Sequence, residues 1–283
     1  MRWSDSRRSE HVEDRRGVRL GGPVGLGIGG VVLALVAVYC GVDPQVVSAF
    51  LGEGGGPTTT RVPVHESPAE AELRDFVSAV LAETEDVWID QFAQRGERYR
   101  EPDLVLFREG VESACGIASS ASGPFYCPSD AKVYLDLAFM DDLRTQLGAP
   151  GDFAQAYVIA HEIGHHVQNL LGISDQVHAQ QQRAGPELAN ELSVRLELQA
   201  DFLAGVWAHH AERMSQILEQ GDLEEALNAA SRIGDDVLQR RATGRVTPDS
   251  FTHGTAAQRV RWLRKGMESG RLEDGDTFSA TGL

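Results

Sequence analysis

Residues Pro23 to Val42, PVGLGIGGVVLALVAVYCGV, run for 20 positions without a charged side chain. At about 1.5 Å rise per residue, a helix of that length spans about 30 Å, the thickness of a bilayer core. A helix on a soluble core keeps a polar face, and this stretch has none. It reads as a transmembrane helix over 23–42. A cleavable signal peptide would have a shorter apolar core and a small-x-small site after it, and Val38-Tyr39-Cys40 is a poor site.

Arg2, Arg7, Arg8, Arg15, Arg16 and Arg19 precede the run, and the next basic residue is Arg61. The positive-inside rule then gives a cytoplasmic basic tail over 1–22 and an extracytoplasmic remainder. The expected location is the cytoplasmic membrane, crossed once. Residues 43–66, with Glu53-Gly54-Gly55-Gly56-Pro57, read as a flexible linker. A folded domain is expected over 67–268, followed by a polar, frayed tail over 269–283.

The formal net charge of −16 repels nucleic acid, so no nucleic-acid partner is expected. Hydrophobic content of 42 % is ample for a core. The spacing of Leu73, Phe76, Val77, Val80, Leu81, Val87 and Trp88 predicts a helix over 68–95. Short β-like runs follow at Leu104–Phe107 and Lys132–Leu135, separated by Gly, Pro and Ser. From Asp152 the chain reads as helical: 152–171, 188–214, 223–240 and 255–267. A small sheet followed by packed helices is an α+β pattern.

Cys115 and Cys127 bracket a loop rich in Ser, Ala and Gly. The pair lacks the four ligands of a zinc ribbon. In an oxidising compartment it fits a disulfide; the alternative is two unrelated buried thiols.

The chemistry centres on His161-Glu162-Ile163-Gly164-His165. Residues i and i+4 share a helix face, so two imidazoles can hold one metal ion with Glu162 beside it as a base for water. Neutral nitrogen ligands on a stiff helix suit zinc. Ala156, Val158, Ile159, Ala160, Ile163 and Val167 make this helix largely apolar, and polar groups there need a compensating partner. Gly164 costs about 1 kcal/mol in mid-helix and is explained if another element approaches closely. Glu197 and Asp201 share a face of a second apolar helix. Glu197 is the expected third ligand, and Asp201 can accept the remaining N–H of a ligand histidine. Asp175 and His178 compete for the ligand role; Gln168 and Leu171 exclude the metzincin spacing. His166 points about 100° away from its neighbour His165. His253, in Thr252-His253-Gly254-Thr255, is a candidate donor to an oxyanion, with a surface loop or helix cap as the alternative.

Taken together, these stretches resemble a bacterial family of neutral zinc metallopeptidases anchored by one N-terminal helix. The resemblance rests on Met1-Arg2-Trp3 with Val12-Glu13-Asp14-Arg15-Arg16, Ala114-Cys115-Gly116 through Tyr126-Cys127-Pro128, His161 through Gln168, Glu197 through Asp201, and Thr252 through Thr255 with Gln258-Arg259. It covers nearly the whole chain. It implies a zincin-type fold of the glutamate-ligand class, with zinc on His161, His165 and Glu197 and Glu162 as base. Phe202 and Leu203 stand where relatives are expected to carry a cysteine. A peptide or protein substrate is expected; a zinc-stabilised envelope scaffold is the rival, and Glu162, useless to a purely structural site, favours the enzyme. Oligomeric state is not readable.

Overall fold

The computed structural model describes residues 1–21, 58–119 and 122–283. The apolar run 23–42 lies outside the described residues, as does the linker up to residue 57. Among the described residues no helix is long and apolar enough to cross a membrane. The architecture is α+β and dominated by helices.

Strands β1 (Val12–Asp14), β2 (Val18–Gly21) and β3 (Thr58–Arg61) precede helix α1 (Pro68–Gln94). A capping box starts α1: Ser67 Oγ accepts from the Glu70 amide at 3.2 Å, and the Glu70 carboxylate accepts from the Ser67 amide at 2.9 Å. Next come β4 (Asp103–Phe107), the hairpin β5 (Gly110–Ser113) with β6 (Gly116–Ser119), β7 (Phe125–Cys127) and β8 (Lys132–Asp136). One sheet has the order β1-β4-β8-β7, parallel except for β7 against β8. Side chains alternate across it. Leu104, Leu106, Val133 and Leu135 join the main helical core, while Val105, Phe107, Tyr134 and Cys127 form a small cluster on the other face. Burial on both faces explains why Leu104–Phe107 is uninterruptedly apolar.

The helical part comprises α2 (Leu137–Thr145), α3 (Asp152–Leu170), α4 (Ile173–Gln181), α5 (Pro186–Ser215), α6 (Asp222–Arg232), α7 (Asp235–Thr243) and α8 (Ala256–Ser269). Two close approaches fix the middle of this stack. A Cβ on Gly164 of α3 would lie 2.9 Å from the Ala200 carbonyl oxygen of α5, so only glycine lets the two helices come this near. Gly205 of α5 and Gly266 of α8 abut each other's backbones in the same way. Helix α5 is thereby clamped between α3 and α8, and His161 and His165, which flank Gly164, face Glu197, with Asp201 against His161.

Four expectations need correction. Residues 1–21 are not a separate tail: β1 extends the sheet, Met1 is buried in the core, and the Arg16 side chain, 1 % exposed, bonds to Asp14 and Glu66. Four of the arginines read as a topological signal, Arg7, Arg8, Arg15 and Arg16, have carboxylate partners within this segment or the domain. For the same reason residues 58–66 are not linker, since β3 pairs with β2 and Glu66 holds Arg16. The C-terminal segment is docked rather than frayed. Gln199 donates to the Gly275 carbonyl, Arg195 to that of Thr277, and the Thr277 hydroxyl donates back to Arg195. Its polarity serves backbone pairing, which composition does not reveal. The expected helix over 223–240 is two helices, α6 and α7, broken at Ile233-Gly234, where Gly234 packs against the backbone of Ala256.

Candidate metal centre

Helix α3 presents His161 and His165 one turn apart, and α5 presents Glu197 between them. His161 Nε2 lies 3.1 Å from Glu197 Oε2, and His165 Nε2 lies 3.4 Å from Glu197 Oε1. One ligand atom from each of the three falls within 4.8 Å of the others.

Each imidazole is fixed from behind. His161 Nδ1 is 2.8 Å from Asp201 Oδ1, which also accepts the Tyr157 hydroxyl at 2.6 Å. Arg259 of α8 forks onto the same carboxylate, with Nε donating to Oδ2 at 2.9 Å and Nη2 to Oδ1 at 3.0 Å. His165 Nδ1 is 2.9 Å from Gln168 Oε1, and the Gln168 amide donates to the Leu196 carbonyl and Gln199. With Nδ1 of both rings facing an oxygen, both Nε2 atoms are turned towards Glu197, and Nε2 is the atom each ring can offer to a metal. Two imidazole nitrogens and one carboxylate, with a fourth direction left to the cleft, are the donor set of a catalytic zinc site. The residues therefore fit the metal that the motif implies.

The charges agree with that fit. Burial pushes Glu197 towards its neutral form, yet the flanking His165 and His161 outweigh it and hold the carboxyl well below its usual range. Burial likewise opposes the charge of Asp201, and Arg259 and His161 overcome it. Burial would lower His161, but Asp201 and Glu197 hold it up at about 10. Arg259 neutralises Asp201, so Glu197 is the buried acid left to be balanced by a positive charge at the two Nε2 atoms.

The centre opens into a cleft of about 910 Å³. Glu162 lines it beside the ligands, and its carboxylate is engaged by no hydrogen bond among the described residues. One wall is the segment Ser122–Ser129, tied back by the Cys115–Cys127 disulfide. His253 also lines the cleft. Asp235, at the start of α7, accepts from the backbone amides of Thr252, His253 and Gly254 with one oxygen, and its other oxygen is 3.2 Å from His253 Nδ1. This bond to Asp235 raises the His253 pKa against the lowering effect of burial. Asp175 and His178 line the cleft without joining the three residues that could hold a metal ion. His166 turns away to Tyr126 and the Arg100 carbonyl, and burial pushes it down to about 4. His209 and His210 bond to carbonyls of Met267 and Gly270, away from the cleft.

Sequence reasoning named His161, His165 and Glu197, which the structure brings together, and Glu162, Asp201 and His253, which it places around them. It gave no role to Gln168, Asp235 or Arg259, and it weighed Tyr157 as a weaker oxyanion donor rather than as a partner of Asp201. Gln168 was findable, since i+3 from His165 places it on the same face. Asp235 and Arg259 lie too far along the chain for any spacing rule.

Residues 1–278 match the family described as "Putative neutral zinc metallopeptidase". The uncharacterized protein YpfJ of Escherichia coli (strain K12) is 50 % identical over 289 residues, covering 98 % of this chain and 99 % of its own. The uncharacterized protein Rv2575 of Mycobacterium tuberculosis (strain ATCC 25618 / H37Rv) is 46 % identical over 195 residues, 65 % of each chain. No solved structure matches. The matched span takes in β1, both ligand-bearing helices and α8 with Arg259, and the chain belongs to the neutral zinc metallopeptidase family.

Proposed function

We propose that the protein is a zinc-dependent peptidase, with His161, His165 and Glu197 as ligands and Glu162 as general base. The single observation that carries this reading is the position of Glu162: a carboxylate in the cleft, without a hydrogen-bond partner among the described residues, next to a converged His-His-Glu donor set. A zinc ion bound there supplies Lewis acidity towards water and a carbonyl oxygen. Glu162 takes a proton from the attacking water and delivers it to the leaving amine nitrogen, so water is added across the C–N bond. His253, set by Asp235, donates a hydrogen bond to the oxygen that gains charge. Phe139, Val158 and Leu147 offer an apolar surface to a substrate side chain. The run 23–42 holds the chain at a membrane.

The test is turnover of a peptide library or denatured protein at matched zinc content. Glu162→Gln keeps the shape but cannot accept the proton, and hydrolysis should fall by about 10²–10⁴-fold. His253→Asn should lower turnover, by about 10²–10³-fold, with zinc retained. Equal turnover of wild type and Glu162→Gln would leave only a structural zinc site.

A further inference from the structure

The folded domain holds the two flanks of segment 22–57 at one place. Strand β2 ends at Gly21, β3 begins at Thr58, and the two residues are partners in one antiparallel register that continues to Val18 and Arg61. Partners in such a pair lie about 5 Å apart. The chain therefore leaves the domain at Gly21 and re-enters it beside the same point at Thr58.

Everything upstream of β2 is built into the domain. Strand β1 pairs in parallel with β4, the Arg2 amide donates to the Ile217 carbonyl, and the Ser9 amide donates to that of Ser78. Arg7 pairs with Glu85 and Asp86, Arg8 with Asp75, and Arg16 with Asp14 and Glu66. These arginines are counter-ions of the domain rather than a free basic tail.

A single crossing demands ends about 30 Å apart, on opposite sides of the hydrocarbon. That is incompatible with the β2–β3 register. A second crossing could restore the register, but the 15 residues available, Asp43 to Pro57, are DPQVVSAFLGEGGGP. They are fewer than the roughly 20 apolar residues of a membrane helix. They include Asp43, Glu53 and two prolines, and extended backbone in lipid leaves its polar groups unpaired.

We propose that both ends of the apolar run lie on the same side of the membrane as the metal centre, so that the segment enters the bilayer and leaves it by one face. The Cys115–Cys127 disulfide belongs to oxidising compartments, which makes the shared side the extracytoplasmic one. The inference rests on the anchoring part of the reading above and is independent of catalysis.

The experiment uses the full chain expressed in cells, with Cys40→Ser to remove the thiol of the apolar run. Single cysteines are introduced at two exposed positions, Asp5→Cys in the N-terminal segment and Ile89→Cys on α1. Intact and permeabilised cells are treated with a membrane-impermeant maleimide. Equal labelling of both positions in intact cells is expected. One position labelled in intact cells and the other only after permeabilisation would overturn the proposal. Labelling of both only after permeabilisation would overturn the choice of side. In a second measurement, Val18→Cys/Arg61→Cys in isolated membranes should cross-link under a mild oxidant, since the two are register partners. Cross-linking in detergent but not in membranes would mean that the membrane-bound chain unpairs this hairpin, against the proposal. Fractionation separates the two failures: recovery of the chain in the soluble fraction would defeat the anchoring itself, whatever the labelling.

Discussion

Helix α3 carries an acidic cluster at each of two levels, and the two solve their charge problem differently. At its first residue, Asp152 meets Asp222 and Glu225, close enough to hold a cation. The protein supplies that cation: the Met1 ammonium lies 2.6 Å from Asp152 and 3.4 Å from Asp222. Further along, His161 and His165 face Glu197, with Asp201 behind. Arg259 balances Asp201, and Glu197 is left with two imidazoles. Carboxylates brought together by folding thus do not mark a metal site by themselves. What separates the two is whether the chain already provides the compensating charge, and whether the ligand rings are fixed from behind.

The sharpest way to break this contrast is metal content. Wild type should bind one zinc ion per chain, by elemental analysis after dialysis. Glu197→Ala should lose it, with an affinity loss beyond the roughly 10–100-fold typical of outer partners, whereas Asp222→Asn should keep it. Zinc retained in Glu197→Ala but lost in Asp222→Asn would reverse the assignment of the two clusters.

A smaller effect is expected behind the ligand. Asp201→Asn keeps an oxygen near His161 Nδ1 but removes the charge that Arg259 and the ring share. Zinc affinity should drop by about 10–100-fold, measured by competition with a chromogenic chelator. An unchanged affinity would make Asp201 a purely structural partner of Arg259.

The smallest effect concerns the self-neutralised cluster and pH. Burial opposes the charge of the Met1 ammonium, but Asp152, Asp222 and Glu219 outweigh it and raise its pKa above 8.0. A raised folded-state value means that the stabilisation is fully present below the unfolded value and is lost as pH climbs through the folded one. The gap in melting temperature between zinc-loaded wild type and Asp152→Asn should therefore be constant below pH 8.0 and narrow above it. A gap that widens with pH would show that Asp152 acts through something other than the ammonium.

The ligand helices were legible because their signals are local. An i, i+4 pair of histidines within an apolar helix needs only the 3.6-residue period to become a half-site, and Gly164 announced a close neighbour before any neighbour was known. Cys115 and Cys127 were readable as a pair for another reason: two thiols that bracket a flexible loop fit a disulfide if the domain lies in an oxidising compartment. The helix 68–94 was legible from its apolar period and its start signals. Elsewhere local reasoning failed. Strand β1 is three residues long and carries two acids, so nothing in its own pattern calls for a sheet; β4 recruits it as an edge. Residues 272–277 are polar and short of apolar side chains, yet Gln199 and Arg195 hold their carbonyls against α5.

By itself the sequence determined the helix that offers His161, Glu162 and His165 and the second helix that offers Glu197 and Asp201. Each follows from the period of one segment and the chemistry of its side chains. Only the tertiary structure decided that Arg259 closes the charge balance behind Asp201, that Asp235 aims His253 into the cleft, and that the N-terminal arginines belong to the domain. The physical reason is that charge compensation is a property of space. A buried carboxylate is stabilised by whatever positive group stands within a few ångströms, and residues 58 positions apart (Asp201 and Arg259) reach that distance only when α5 and α8 cross at Gly205 and Gly266.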